Sequence, residues 1–109
     1  MPKYLVLYRS SADAAEQMST STPEQAQEGM AQWMKWFEAT GPALTDFGSP
    51  LGKSQTLPGS ADTGLPIGGY SIIEADSPAA ATKLVDDHPH LHAPDASIQL
   101  LEFLPMPGM

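Results

Sequence analysis

Apolar residues alternate with one another, rather than with polar ones, over Lys3-Tyr4-Leu5-Val6-Leu7-Tyr8-Arg9. Side chains of a strand point to opposite faces in turn, so Tyr4, Val6 and Tyr8 share one face and Leu5 and Leu7 the other. A strand apolar on both faces is covered on both. The period then changes. Ala26, Met30, Trp33 and Phe37, with Met34 at the flank and Trp36 at the edge, recur at helical spacing. Thr22 is placed as N-cap, Pro23 at the first helical position and Gln25 for a capping box. The helix is expected to run to about Thr40 and to stop at Gly41-Pro42.

Further along, Ala43 to Gly48 reads as a short, weak strand, and Lys53 to Leu57 as a short edge strand that pairs back. Residues 58–68 carry Pro58, Gly59, Gly64, Pro66 and Gly68 and read as a mobile loop; residues 10–22, rich in Ser, Thr and Ala, read as a loop with room for a short helical turn. Tyr70, Ile72 and Ile73 favour a pleated surface, so 69–75 is a strand. Ser77 and Pro78 open a second helix that an alanine run propagates to about Asp87; the residue before Pro89 avoids the helical region and ends it. His90 to Asp95 reads as irregular. Ile98 to Leu104 is a last strand, again apolar on both faces, and 105–109 a tail. No internal repeat is present. The order β-α-β-(β)-β-α-β predicts an α+β, ferredoxin-like split βαβ fold: a four-stranded antiparallel sheet with two helices on one face. The helices leave the second apolar face bare. A second copy is its simplest cover, so the expected partner is the chain itself, as a homodimer whose sheets enclose a cavity.

At 109 residues the chain is one domain, 1–109, large enough for a core without staples. It has no cysteine, which excludes disulfides and thiolate chemistry. No signal-peptide pattern opens it and no apolar run has membrane-spanning length, so a cytoplasmic protein is the expectation. A net charge of −8 repels phosphate backbones and anionic surfaces, so neither nucleic acid nor membrane is expected as a partner.

Lys3 to Arg9, Gly68 to Ser77, Asp87-His88-Pro89-His90-Leu91 and Ser97 to Glu102 together resemble YCII-related (DGPF-like) proteins. The resemblance implies the dimeric α/β-barrel form of the ferredoxin-like fold. It also implies a candidate dyad of an early histidine and an aspartate in an Asp-Pro-Phe-type turn after the second helix. Asp87 stands where that aspartate is expected, separated from Pro89 by His88. No histidine precedes residue 88.

Candidate chemistry is sparse. Tyr8 and Arg9 end the first strand; arginine holds anions bidentately and a phenol orients a carbonyl. Tyr8 is expected to face the dimer cavity and Arg9, the single arginine, its rim. Trp33 and Tyr70 complete the ligand-binding candidates. Asp46, Asp87 and His88 are the catalytic candidates, and Glu74 and Glu102 are carboxylates at strand ends. His88, His90 and His92 alternate, which a metal can use. The competing reading is a solvated turn with a histidine favoured as a cation by the helix C-terminus, and no metal or cofactor is expected. The residues fit a small-molecule-binding domain, with cofactor-free catalysis on a small carbonyl or aromatic compound as its enzymatic form. The alternative is a non-enzymatic accessory or regulatory module acting through a protein partner. Whether the chain is an enzyme is left open by the residues themselves.

Overall fold

The first strand, β1 (Lys3–Arg9), lies inside the sheet of the computed structural model, which describes residues 1–11, 19–59, 66–92, 95–105 and 107. It is followed by α1 (Pro23–Thr40), a 3₁₀ turn (Gly41–Ala43), β2 (Leu44–Pro50), β3 (Ile67–Glu74), α2 (Pro78–Val85), a second 3₁₀ turn (Pro89–His92) and β4 (Ser97–Glu102). The strands form one antiparallel sheet in the order β2-β3-β1-β4, the ferredoxin-like arrangement. Most of residues 10–22, part of the 58–68 loop and much of the tail lie outside the described residues. Among the described residues no helix is long and apolar enough to cross a membrane.

Alternation builds the core. Tyr4, Val6 and Tyr8 of β1 and Ile73 of β3 are buried together with Trp36 of α1 and Ala81 and Val85 of α2, so both helices cover one face. Ile98 and Leu100 of β4 pack against the same cluster. The opposite face carries Leu5 and Leu7, paired with Ile72 and Tyr70 on β3, and Leu101 on β4, paired with Leu5. Leu101 is 41% exposed, and nothing among the described residues covers this face.

The helix ends follow from local chemistry. Thr22 accepts from the Gln25 backbone and Gln25 reaches back to Thr22, the expected reciprocal cap. Gly41 ends α1 at φ 59°, a region that suits glycine. Ser77 caps α2 by accepting from the Ala80 N–H. That helix stops at Val85, two residues before the expected Asp87, because Pro89 forces the chain out of helix ahead of itself.

Three further expectations need correction. Lys53 to Leu57 forms no strand: the stretch is exposed throughout, and Leu57, its one apolar residue, packs on nothing that would hold a strand in place. Strand β4 ends at Glu102, since β1 begins at Lys3; one more hydrogen bond, Phe103 N–H to Lys3 O, follows. On α1 the inward residues are Trp33, Trp36, Phe37 and Thr40, because only the last two turns pack on the sheet. Trp36 is the most buried of its apolar residues, while Ala26, Met30 and Met34 are exposed.

Candidate functional site

Beneath the last turns of α1, at the end of β1, five rings converge. His88 stands 4.3 Å from Trp36, 4.5 Å from Trp33 and 4.8 Å from Tyr8, centroid to centroid. Tyr8 in turn meets Trp33 at 4.8 Å and His90 at 5.3 Å. Gly69, opposite Tyr8 in the β1–β3 register, lets β2 approach closely: a Cβ there would lie 3.2 Å from Ser49 O and in ordinary contact, 3.5 Å, with Tyr8 Cδ2.

The histidine tract folds differently from either expectation. His88 precedes a 3₁₀ turn that carries His90 and His92, and the three side chains differ in burial. His88 is fully buried, His90 is half-buried with Nε2 at 2.9 Å from the Arg9 carbonyl, and His92 is exposed. Among the described residues no three His, Cys, Asp or Glu side chains converge as a metal site. The solvated-turn reading of His88 is also overturned. Burial first, then the neighbouring His90 and His92, pushes its pKa down to about 3. Desolvation therefore outweighs the nearby helix C-terminus, and the ring is neutral. Its Nδ1 accepts the His90 backbone N–H at 2.9 Å, so the proton of the neutral ring sits on Nε2. That Nε2–H is buried and has no hydrogen-bond partner among the described residues.

Tyr8 points into this cluster and not to the bare face of the sheet, as sequence reasoning had it. Alternation separates two faces but does not say which one the helices choose. Its hydroxyl lies 2.8 Å from Ser71 Oγ, which donates to the Phe47 carbonyl at 2.9 Å. Burial raises the Tyr8 phenol to about 12, with the Ser71 hydrogen bond acting in the opposite direction. A β-bulge aims that carbonyl. Between Asp46, paired with Ile72, and Ser49, paired with Tyr70, β2 carries one residue more than β3. Asp46 Oδ1 accepts the Gly48 N–H at 2.8 Å within the bulge.

Of the other candidates, Trp33 joins Tyr8 and His88. Arg9 faces the opposite way, its Nε donating to Gln99 at 3.1 Å, and contributes its carbonyl to His90. Tyr70 lies on the bare face, with Glu74. Asp46 acts through the bulge, and Glu102 is exposed at the end of β4. Asp87 lines a separate cleft of about 430 Å³ between α1 and α2, with Lys35, Lys83 and His92. Sequence reasoning missed Ser71 and the role of Trp36, and it named His90 only as a candidate metal ligand. Ser71 did carry a signal: it is a hydroxyl on the same face of β3 as Ile73, and a buried polar group needs a partner.

No protein-family model and no curated protein matches the chain. Among solved structures it is similar to 5-chloro-2-hydroxyhydroquinone dehydrochlorinase (TftG) from Burkholderia phenoliruptrix AC1100, in complex with 2,5-dihydroxybenzoquinone. The two share 18% identity at a TM-score of 0.51, over 96% of this chain and 95% of that one. The fold is common to both. At that identity the likeness extends to the architecture, and the ring cluster has to be read on its own chemistry.

Proposed function

We propose that the chain is a small-molecule-binding domain of the YCII-related, dimeric α/β-barrel kind, whose ligand is a small aromatic compound held at Tyr8, Trp33 and His88. The observation that carries this reading is the buried Nε2–H of His88. A donor enclosed in low dielectric without an acceptor is costly, by about 1–3 kcal/mol, and an acceptor atom of a ligand would relieve it. The side chains around His88 are aromatic, which favours a flat ring. The quinone bound by TftG supports the same ligand class. Trp33, half-buried and over both Tyr8 and His88, is the ring such a ligand would pass.

Binding is better supported than turnover. A base at neutral pH needs a pKa near 7. His88 lies far below and Tyr8 far above. The accessory-module reading draws on a different feature, the exposed apolar side chains Met30, Met34 and Phe47. In the same proposal a second copy covers the face of Leu5, Leu7, Tyr70, Ile72 and Leu101.

The chain's two tryptophans, Trp33 and Trp36, both touch His88, so their fluorescence reports on the site. Titration with phenol and with simple hydroxyquinones, checked by calorimetry, should give saturable quenching. His88→Phe keeps a ring and removes the donor, and should weaken binding by about two- to tenfold, the worth of one neutral hydrogen bond. Equal binding by the variant at unchanged melting temperature would exclude this site.

A further inference from the structure

The two edges of the sheet are not alike. Strand β2 is defended: its pairing with β3 breaks at the bulge between Asp46 and Ser49, and it ends in Pro50. Bulges and prolines keep an edge from pairing with another chain. Strand β4, at the opposite edge, has neither. Its register with β1 runs unbroken from Ser97 to Glu102, and Ser-Ile-Gln-Leu-Leu-Glu contains no proline and no lysine. The Phe103 N–H bonds the Lys3 carbonyl just beyond it. Bonded and non-bonded pairs alternate in an antiparallel ladder. Ser97, Gln99 and Leu101 therefore turn their backbone groups toward β1, and Ile98, Leu100 and Glu102 turn theirs outward. The same alternation puts the side chains of Ile98 and Leu100 on the helix face, opposite Tyr8 and Val6. There they line a groove of about 340 Å³ against Val85 and Leu91, with Thr82 and Asp86. A row of free backbone groups and an apolar groove thus run side by side along the same residues.

We propose that β4 is a docking edge for an extended, basic segment of another protein. The segment adds to the sheet beside β4, sets alternate apolar side chains into the groove and offers lysine or arginine to Asp86 and Glu102. In this mode the main-chain bonds supply affinity and the groove selects the side chains. Charge decides the occupant. Asp86 and Glu102 are both exposed, and among the described residues no basic side chain lines the groove. A second copy pairing along β4 brings the same carboxylates, and its own −8, to the contact. A basic segment brings the opposite sign. The inference uses no part of the ring cluster and stands apart from the ligand reading.

Amide hydrogen exchange on the full chain, followed by NMR, reads the edge residue by residue. In the free protein the Gln99 and Leu101 amides should be protected and those of Ile98 and Leu100 should exchange freely. A fluorescein-labelled peptide of alternating valine and threonine, with lysine at both ends, should bind saturably by anisotropy and slow the Ile98 and Leu100 amides. The same peptide ended in glutamate should bind about fivefold more weakly, the worth of exposed charge pairs, and Asp86→Asn should narrow that gap. N-methylating alternate peptide residues should abolish binding in one frame and spare it in the other, because only one edge of the added strand faces β4. Leu100→Pro removes an outward N–H that β1 does not use and should also abolish binding; the methylated peptides need no variant and decide the matter if that one fails to fold. No binding of the lysine-ended peptide, or equal binding of both methylated frames, would overturn the proposal. So would Ile98 and Leu100 amides already protected in the free wild type, which would give the edge to a second copy.

Discussion

His88 is the residue on which local and long-range physics disagree. Its position just past α2 favours an imidazolium, through the negative end of the helix. Its surroundings are Tyr8, Trp33 and Trp36, which favour a neutral ring. Burial wins, and the consequence for stability has a definite sign. The folded pKa of about 3 lies below the ordinary 6.5, so the unfolded chain binds the proton more readily between those values. The contribution is fully present above about pH 6.5 and is lost as the pH falls toward 3. Melting temperature should therefore drop on acidification from 7 to 4, and the drop should be smaller in His88→Phe, whose ring cannot charge. Parallel curves for the two proteins would show that carboxylates alone drive the acid loss. Tyr8 and Arg9 show what a strand sequence conveys at this scale. That the two point to opposite faces was legible from alternation. Which face meets the helices was not, because Leu5 and Leu7 are as apolar as Tyr4, Val6 and Tyr8.

Elements were legible where the chain signals its own boundaries. Thr22-Pro23 with Gln25, Gly41-Pro42, Ser77-Pro78 and Pro89 each satisfy or forbid particular backbone groups, and each boundary they predict is found within two residues. The β2 bulge is the counter-example. In Leu44-Thr45-Asp46-Phe47-Gly48 the one hint of a bulge is Gly48, and the register that places the bulge is set by the fit against β3. Gly48 sits at φ 79°, and a Cβ there would fall 1.6 Å from the Tyr70 carbonyl oxygen. The strand must therefore move to accept any side chain. Gly48→Ala should destabilise by about 3 kcal/mol or more, above the 1–3 kcal/mol of an ordinary strained residue. Gly41→Ala also meets a positive φ but has open space, and should cost only about 1 kcal/mol. Chemical denaturation of both variants checks the order. Equal losses would mean that β2 relaxes freely and that the Phe47 carbonyl is not held in place by the bulge.

At the scale of the whole molecule, charge and apolar surface pull in opposite directions. The bare face presents Leu5, Leu7, Ile72 and Tyr70 in register across β1 and β3, with Leu101 beside them on β4. Such a surface favours association by the water it releases. The chain also carries −8 at neutral pH, so two copies repel one another. If the sheets meet face to face, the contact is apolar and the repulsion is long-ranged, and salt should separate the two. Screening removes the repulsion beyond about 8–10 Å near physiological ionic strength and leaves apolar contact intact. The dimer should therefore tighten as salt is raised, whereas an interface built on ion pairs would loosen. Light scattering should give twice the chain mass at micromolar concentration. Leu7→Glu adds a carboxylate to the middle of the face in both copies and should give a monomer with the helix-side core intact, since Leu7 does not contribute to it. A wild-type monomer at all salt concentrations would reject the dimer. A dimer that survives Leu7→Glu would move the interface to another surface, with the exposed Met30, Met34 and Phe47 as the first place to look.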